Sequence, residues 1–419
     1  MSTQTDKKVP ESFGKRQLKR AIQQLKIIDK PVLIITIILL IVGLMMVYTA
    51  SSYLAISQDL PANSYLIRQF IFVLIGFLPF FGFYFMNIDK LQKRKTINIM
   101  VSIMFILLLI VLFIGEARNG ARGWLSLGPV SLQPIELAKP LVVIVLATLI
   151  AQHQREITAN GYKALIKKER FLVFSLLGIL IITFLFPDFG GMTLVASIML
   201  LMILGSGISS KWFKRFLLIA VIGYIVMLVT LNLIDLSHID NYQIRRFVSF
   251  ANPFAYAQSD GLQLVNSYYA LAVGGFFGQG PGNSIQKTGY LPEAHNDFIM
   301  AIIGEEFGFI VVLLILMLYF ALIVYLYLKA AKTRSIYHQM ILIGVASYFF
   351  MQLFINLGGI TGLIPITGVT LPFLSYGGSS LLATSMMLGL ALSALRRDFQ
   401  MKHKRPVMTA YNPTLNPNK

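Results

Sequence analysis

Long apolar blocks alternate with polar links along almost the whole chain. They lie near 31–50, 65–87, 97–115, 135–152, 171–186, 192–207, 216–236, 298–328, 338–357 and 377–395. A hydrocarbon core of about 30 Å takes about 20 residues of helix to cross. The blocks therefore predict an all-α polytopic membrane protein with about ten transmembrane helices, forming one integral domain over 31–397. Most links are short, but 116–134, 237–297 and 358–376 are not. The 61-residue loop 237–297, before the eighth span, is long enough to hold structure of its own and to carry function. Inside it, Ser267–Ser284 (SYYALAVGGFFGQGPGNS) is an apolar half-span followed by a Gly-rich turn. It is too short to cross and predicts a re-entrant or interfacial helix.

Composition excludes a soluble globule: 56% of the 419 residues are hydrophobic and the mean hydropathy is +0.72. The net charge of +18 invites a nucleic-acid reading, but its placement argues against one. With a cytoplasmic amino terminus, 29 of the 36 Lys and Arg fall in the two tails and in the links near 88–96, 153–170, 208–215 and 329–337. That is the positive-inside distribution, which places both termini in the cytoplasm and 237–297 outside. The first apolar block is too long for a signal-peptide core and reads as a retained anchor. There is no cysteine, which removes disulfides, thiolate metal sites and cysteine nucleophiles.

The two ends differ in character. Within the basic tail 1–30, Leu18, Ile22 and Leu25 recur at helical spacing among Lys and Arg, as suits either an amphipathic helix on the anionic inner leaflet or a solvated tail. Residues 398–419 have little apolar content and several Pro and Asn, and are expected to be a disordered cytoplasmic tail.

Four polar constellations face the outer side. In Asn119–Pro140, Pro134 suits the first turn of the fourth span, which puts Glu136 and Lys139 on one helix face at i, i+3. Either this pair neutralises itself or it meets a ligand. Arg122 adds a cation on the preceding link, and Trp124 reads as an interfacial anchor. In Pro187–Gly191 (PDFGG), Asp188 is placed to cap the next helix. The third constellation is Tyr290–Gly308, YLPEAHNDFIMAIIGEEFG. Ionisable groups at membrane depth cost roughly 2.5–3.5 kcal/mol each and mark working sites. Asp297 stands at the lip of the eighth helix beside Glu293 and His295, with Glu305 and Glu306 about 12–14 Å deeper. One of the two deep glutamates is expected to be a hydrogen-bonding partner between helices, which leaves Asp297 the better access to a polar substrate. In the fourth, Gly358–Leu382, Gly and Pro imply irregular backbone, tolerated at depth only against protein or a watery cavity. The amides of Gly377, Gly378 and Ser379 at the start of the last span are placed either to receive an anion or simply to open a helix.

Sidedness narrows the chemistry. No ATP or nucleotide sugar is available outside a bacterial plasma membrane, so an outward enzyme needs a substrate already activated and carried in the bilayer. A basic pair suits a pyrophosphate, and a carboxylate at the membrane edge suits deprotonation of a hydroxyl. A polyprenyl-pyrophosphate sugar donor meets both demands.

Five segments in order, GARGWLSLGPVSLQPIELAK, PDFGG, NSYYALAVGGFFGQGPGNS, YLPEAHNDFIMAIIGEEFGF and TGLIPITGVTLPFLSYGGSSLL, resemble the SEDS family, the group of FtsW, RodA and SpoVE. The resemblance covers roughly residues 30–397, and YLPEAHNDF followed by IGEEFG is more similar to the FtsW branch than to the RodA branch. It implies a peptidoglycan glycosyltransferase that polymerises lipid II during division, working with a class B penicillin-binding protein and other divisome proteins. An elongation polymerase of the RodA type is the nearest alternative. By the same resemblance Asp297 is the catalytic base, and Arg122, Glu136 and Lys139 serve the pyrophosphate, with or without a divalent cation (Mg or Mn) whose ligands stay unassigned. Glu293, His295, Ser375, Gly377, Gly378 and Ser379 are expected substrate contacts. The chain departs from the family pattern in QPIEL, FPDFGG and GARGW, which weakens Asp188 as a substrate contact and leaves Arg122 the one arginine of its element. Two other readings use the same residues: a lipid II flippase, which needs a charged path through the midplane where only Glu305 or Glu306 lies, and a non-enzymatic divisome scaffold.

Overall fold

The computed structural model describes residues 21–118, 121–128, 130–207, 210–233 and 242–403. A helix stands at each of the ten expected positions: α1 (Lys30–Ser57), α2 (Ser64–Phe85), α3 (Arg94–Ile114), α4 (Pro134–Asn160), α6 (Arg170–Leu185), α7 (Phe189–Gly205), α8 (Ser210–Leu233), α11 (Ile299–Ala331), α12 (Ile336–Ile360) and α13 (Gly378–His403). Eight are long and apolar enough to cross a membrane, while α6 and α7 are shorter apolar helices that meet at Pro187–Asp188. A short helix, α5 (Tyr162–Lys168), links α4 to α6, and two more, α9 (Tyr242–Ala251) and α10 (Leu262–Gly274), lie in the large loop.

The burial pattern sorts the bundle into an inner and an outer set. Most of α4, α12 and α13 is buried, and α12 packs against α4, α7, α11 and α13. The outer helices α1, α2, α3 and α11 turn apolar side chains such as Leu78, Phe113 and Phe320 away from the protein. In water this surface would be an aggregation hazard; in a bilayer it faces acyl chains.

Between α3 and α4 a small antiparallel sheet runs β1 (Glu116–Arg118), β2 (Ala121–Leu127), β3 (Val130–Leu132), with Glu116 opposite Trp124 and Leu127 opposite Val130. Its strands are three, seven and three residues long. Two of them are too short for alternation to register in the sequence.

The half-span of the large loop is α10, followed by the Gly-rich turn, and its seat is a break in α11. At Gly308 the backbone turns to φ +76°, ψ 178°, which interrupts the helix. Glu305 and Glu306 therefore lose the amides that would bond their carbonyls. Gln279 and Gly280 supply replacements, at 2.9 Å each, while the amides of Phe309 and Ile310 turn to Gly275 O (2.8 Å) and Phe276 O (3.3 Å). These four backbone groups are thus satisfied by the loop, as membrane depth demands. The approach is close enough that a Cβ on Gly278 would sit 2.2 Å from Glu306 O.

At its C-terminal end, α13 runs to His403, past the expected boundary at 397. The Asp398–Lys402 pair at 2.5 Å and the Arg334 amide, donating to Asp398 at 3.2 Å, hold its last turns. Residues 404–419 and 1–20, including Leu18, lie outside the described residues. Residues 21–25 are helical, and Tyr84 Oη donates to Gln24 O at 2.6 Å. Ile22 and Leu25 remain exposed there, as a membrane-facing edge would leave them.

Candidate active site

Asp297 sits in the turn just before α11, held by its backbone. Asn356 Nδ2, from α12, donates to Asp297 O at 2.6 Å and also to Val369 O at 2.8 Å. One amide thereby ties the turn to the irregular loop 361–377. The side chain keeps partial exposure and lines a small pocket with Asn356, Gly359, Thr367 and Gly368. Burial, reinforced by the Glu293 carboxylate, pushes Asp297 up to about 7, against the opposing pull of its own backbone N–H and of Arg246. A carboxyl poised near neutral pH is suited to taking up a proton.

Glu293 holds a left-handed backbone (φ +58°), and Asn296 Nδ2 donates to its carboxylate. His295 is buried between Tyr65 and Tyr376, with ring centroids at 4.9 and 5.5 Å, and its carbonyl accepts from the Tyr376 amide at 3.0 Å. Burial pushes the His295 imidazole down, which leaves it neutral at pH 7. Arg68 lies over the Tyr65 ring at 5.7 Å. These rings make an aromatic cluster on the same turn that carries Asp297.

A second cluster is built on the start of α4. Pro134 is at the helix start as its fixed φ favours, and Lys139 Nζ meets Glu136 Oε1 at 2.6 Å. Lys139 is 1% exposed and lies 5.9 Å from the Tyr348 ring centroid. Glu136 Oε2 is buried without a hydrogen-bond partner. Asp188 caps α7, accepting from Gly191 N at 2.8 Å, and its other oxygen accepts from Gln133 Nε2 at 3.1 Å. Burial raises Asp188, opposed by the Gly191 amide and by the charge of Lys139. Ser379 Oγ accepts from Gln133 N at 3.0 Å and donates to Ser131 O at 3.2 Å, which fixes the start of α13 to β3 and α4. Arg122 stands in β2; its side chain lies outside the described residues.

Loop 361–377 joins the two clusters. Gly368 packs beside Asp297, and Gly190 of α7 approaches Thr367 so closely that a Cβ would lie 2.5 Å from its carbonyl. Ser375, an expected substrate contact, and the Gly377 amide, an expected anion contact, both bond within the fold. Ser375 Oγ accepts from Leu371 N at 2.8 Å, and the Gly377 amide donates to Gln69 Oε1 at 3.2 Å while Gln69 Nε2 donates to Ser375 O at 3.1 Å. The Gly377 N–H is therefore taken by α2 and is not offered to an anion; Gly378 and Ser379 open α13.

Glu305 and Glu306 both serve structure, not one of them alone. Glu305 accepts from Ser284 Oγ at 2.5 Å and Ile285 N at 2.8 Å, and Glu306 pairs with the buried Lys287 at 2.6 Å. Among the described residues no three or more His, Asp or Glu side chains converge as metal ligands.

The sequence profile of the FtsW/RodA/SpoVE cell cycle proteins matches residues 30–399. The chain belongs to that family. The probable peptidoglycan glycosyltransferase FtsW of Bacillus subtilis (strain 168) is 36% identical over 375 residues, covering 88% of this chain and 90% of the relative. Stage V sporulation protein E of the same organism is 36% identical over 372 residues, 88% and 97% of the two chains. Among solved structures, a chain from a peptidoglycan synthase complex that coordinates polymerisation and crosslinking superposes with a TM-score of 0.67, at 27% identity, over 89% of this chain and 99% of that one. The rod shape determining protein RodA of Thermus thermophilus gives 0.62 at 25% identity, over 89% and 98%. The SEDS resemblance in the motifs thus extends to the whole membrane domain, and the chain is a multi-pass membrane protein of the FtsW/RodA/SpoVE type.

Sequence reasoning passed over several residues that build this site: Gln133, Gln69, Asn356, Tyr65 and Arg246. Asn356 carried a usable signal, since an amide inside an apolar span needs buried partners. Tyr65 and Gln69 sit near the start of a membrane helix, where such residues are common and nothing distinguishes them.

Proposed function

We propose that this protein is a peptidoglycan glycosyltransferase that polymerises lipid II into β-1,4 glycan strands for the division septum. Its family and the names of its FtsW relatives support the activity and the septal role. The observation that carries the chemistry is the presence of two unlike clusters flanking loop 361–377: a carboxylate poised near pH 7 at Asp297, and the buried Lys139 paired with Glu136.

In this reading Asp297 takes the proton from the 4-hydroxyl of the acceptor's terminal N-acetylglucosamine. That oxygen bonds to the anomeric carbon of the donor's N-acetylmuramic acid as the bond to the phosphate oxygen breaks, and the electron pair departs on undecaprenyl pyrophosphate. A single displacement turns the α-linked donor into a β product. Lys139, oriented by Glu136, and Arg122 stabilise the leaving diphosphate. Were a divalent cation to accompany the pyrophosphate, the unpartnered Glu136 Oε2 would be the oxygen to hold it, and the ion would supply charge neutralisation for the leaving group.

The charge distribution supports an outward-facing site with both termini cytoplasmic. The likeness to a synthase complex supports a class B penicillin-binding protein as partner, supplying the crosslinking. The engagement of both Glu305 and Glu306 by residues 284–287 weighs against a charged transport path. The test is polymerisation of purified lipid II by this protein with its cognate transpeptidase: glycan strands are expected, and transbilayer movement of lipid II without polymer would overturn the reading.

A further inference from the structure

A cavity of about 200 Å³ lies between α9, the turn after it and Pro292. Ile366 lines both this cavity and the small pocket of Asp297, so one residue forms a wall common to the two. Arg246, on the cavity side, donates to Ile366 O at 3.4 Å. The cavity floor is apolar, from Phe250 and Leu264, and its rim carries the Ser259 hydroxyl and the Gln263 amide. Its charges are of both signs: Arg246 and Asp260, the latter paired with Arg245 at 3.1 Å.

A water molecule's share of liquid volume is about 30 Å³, so this space holds roughly seven waters, or one sugar ring. A neutral group bearing hydroxyls and an amide would find donors, acceptors and an apolar floor together. Reaction geometry adds a constraint: the attacking hydroxyl belongs beside the base and the departing diphosphate beside the cations. The cavity shares Ile366 with the pocket that Asp297 lines, whereas Lys139 lies in the other cluster.

We infer that this cavity is the acceptor subsite, holding the terminal N-acetylated hexosamine of the acceptor with its hydroxyl toward Asp297. The inference rests on the polymerase reading.

The test uses the full-length protein in lipid nanodiscs and a lipid-free tetrasaccharide of alternating β-1,4-linked N-acetylglucosamine and N-acetylmuramic acid, read by saturation-transfer NMR. Wild type and Asp297→Asn are expected to bind through the terminal sugar. A Ser259→Val/Gln263→Leu variant, which removes the rim polarity, is expected to bind at least ten-fold more weakly. Gln263→Ala alone, a milder change should the pair misfold, is expected to weaken binding several-fold. Either folded variant binding as wild type does would overturn the subsite, as would no binding to wild type at millimolar sugar. Lipid II polymerisation run in parallel separates the two claims. Unchanged binding and polymerisation in the variants removes the subsite and leaves the polymerase, whereas a wild type that never polymerises with its partner removes both.

Discussion

Lys287 Nζ lies 2.6 Å from Glu306 Oε1 with both side chains buried, and this contact pins the large loop to the broken helix α11. Removing one member of a buried pair leaves an uncompensated charge and costs about 3–5 kcal/mol. Lys287→Met is therefore expected to lower the heat resistance of the purified protein, measured as monodisperse protein remaining after heating. Lys287→Met/Glu306→Leu is expected to recover much of the loss. A single variant as stable as wild type would contradict this role.

The break in α11 makes glycine mandatory where the two backbones meet. At Gly278 a Cβ would lie 2.2 Å from Glu306 O on a backbone with φ +79°, so Gly278→Ala is expected to yield little folded protein. Gly223 in α8 is the control: nothing lies within 4 Å of its Cβ position. Alanine there is expected to be neutral or stabilising by up to about 1 kcal/mol. Comparing detergent-extracted yields of the two variants checks the contrast.

Lys139 is argued to act on developing charge, so its loss should appear in the chemical step. Lys139→Met is expected to lower the single-turnover polymerisation rate by about 10²–10³-fold, the scale of losing one transition-state donor. Lys139→Arg is not expected to restore it, since a fork of planar donors does not fit a space shaped around an ammonium. Rates within a few-fold of wild type for Lys139→Met would remove this residue from the mechanism.

The base must be ionised to accept a proton, so activity should rise with pH through the ionisation of Asp297, at about 7. Glu293 raises that value and Arg246 lowers it. Glu293→Gln is therefore expected to move the acid limb of kcat/KM to lower pH, and Arg246→Gln to move it higher. Limbs that stay in place, or exchange direction, would contradict the assignment.

Much of this was legible in the sequence because membrane insertion imposes strong rules. The ten apolar blocks, the capping role of Asp188 and the Glu136–Lys139 pair all follow from local spacing, and the structure places each accordingly. The half-span at Ser267–Ser284 was visible by its length. Its seat was not, because the exchange of hydrogen bonds between Gly275–Gly280 and Glu305–Ile310 joins segments about thirty residues apart through backbone atoms that no side-chain pattern reports. The expected anion role of the Gly377 amide failed for a similar reason. Its partner, Gln69, lies more than three hundred residues earlier and gave no periodic signal. The small sheet at Glu116–Leu132 was hidden by strand lengths below one full alternation.

The most direct measurement is lipid II polymerisation by wild type and Asp297→Asn, each purified with the cognate transpeptidase and shown to be folded by size exclusion. Replacing a general base costs about 10²–10⁴ in rate. The account predicts a loss on that scale in Asp297→Asn, with lipid II binding retained. Turnover within a few-fold of wild type would contradict it.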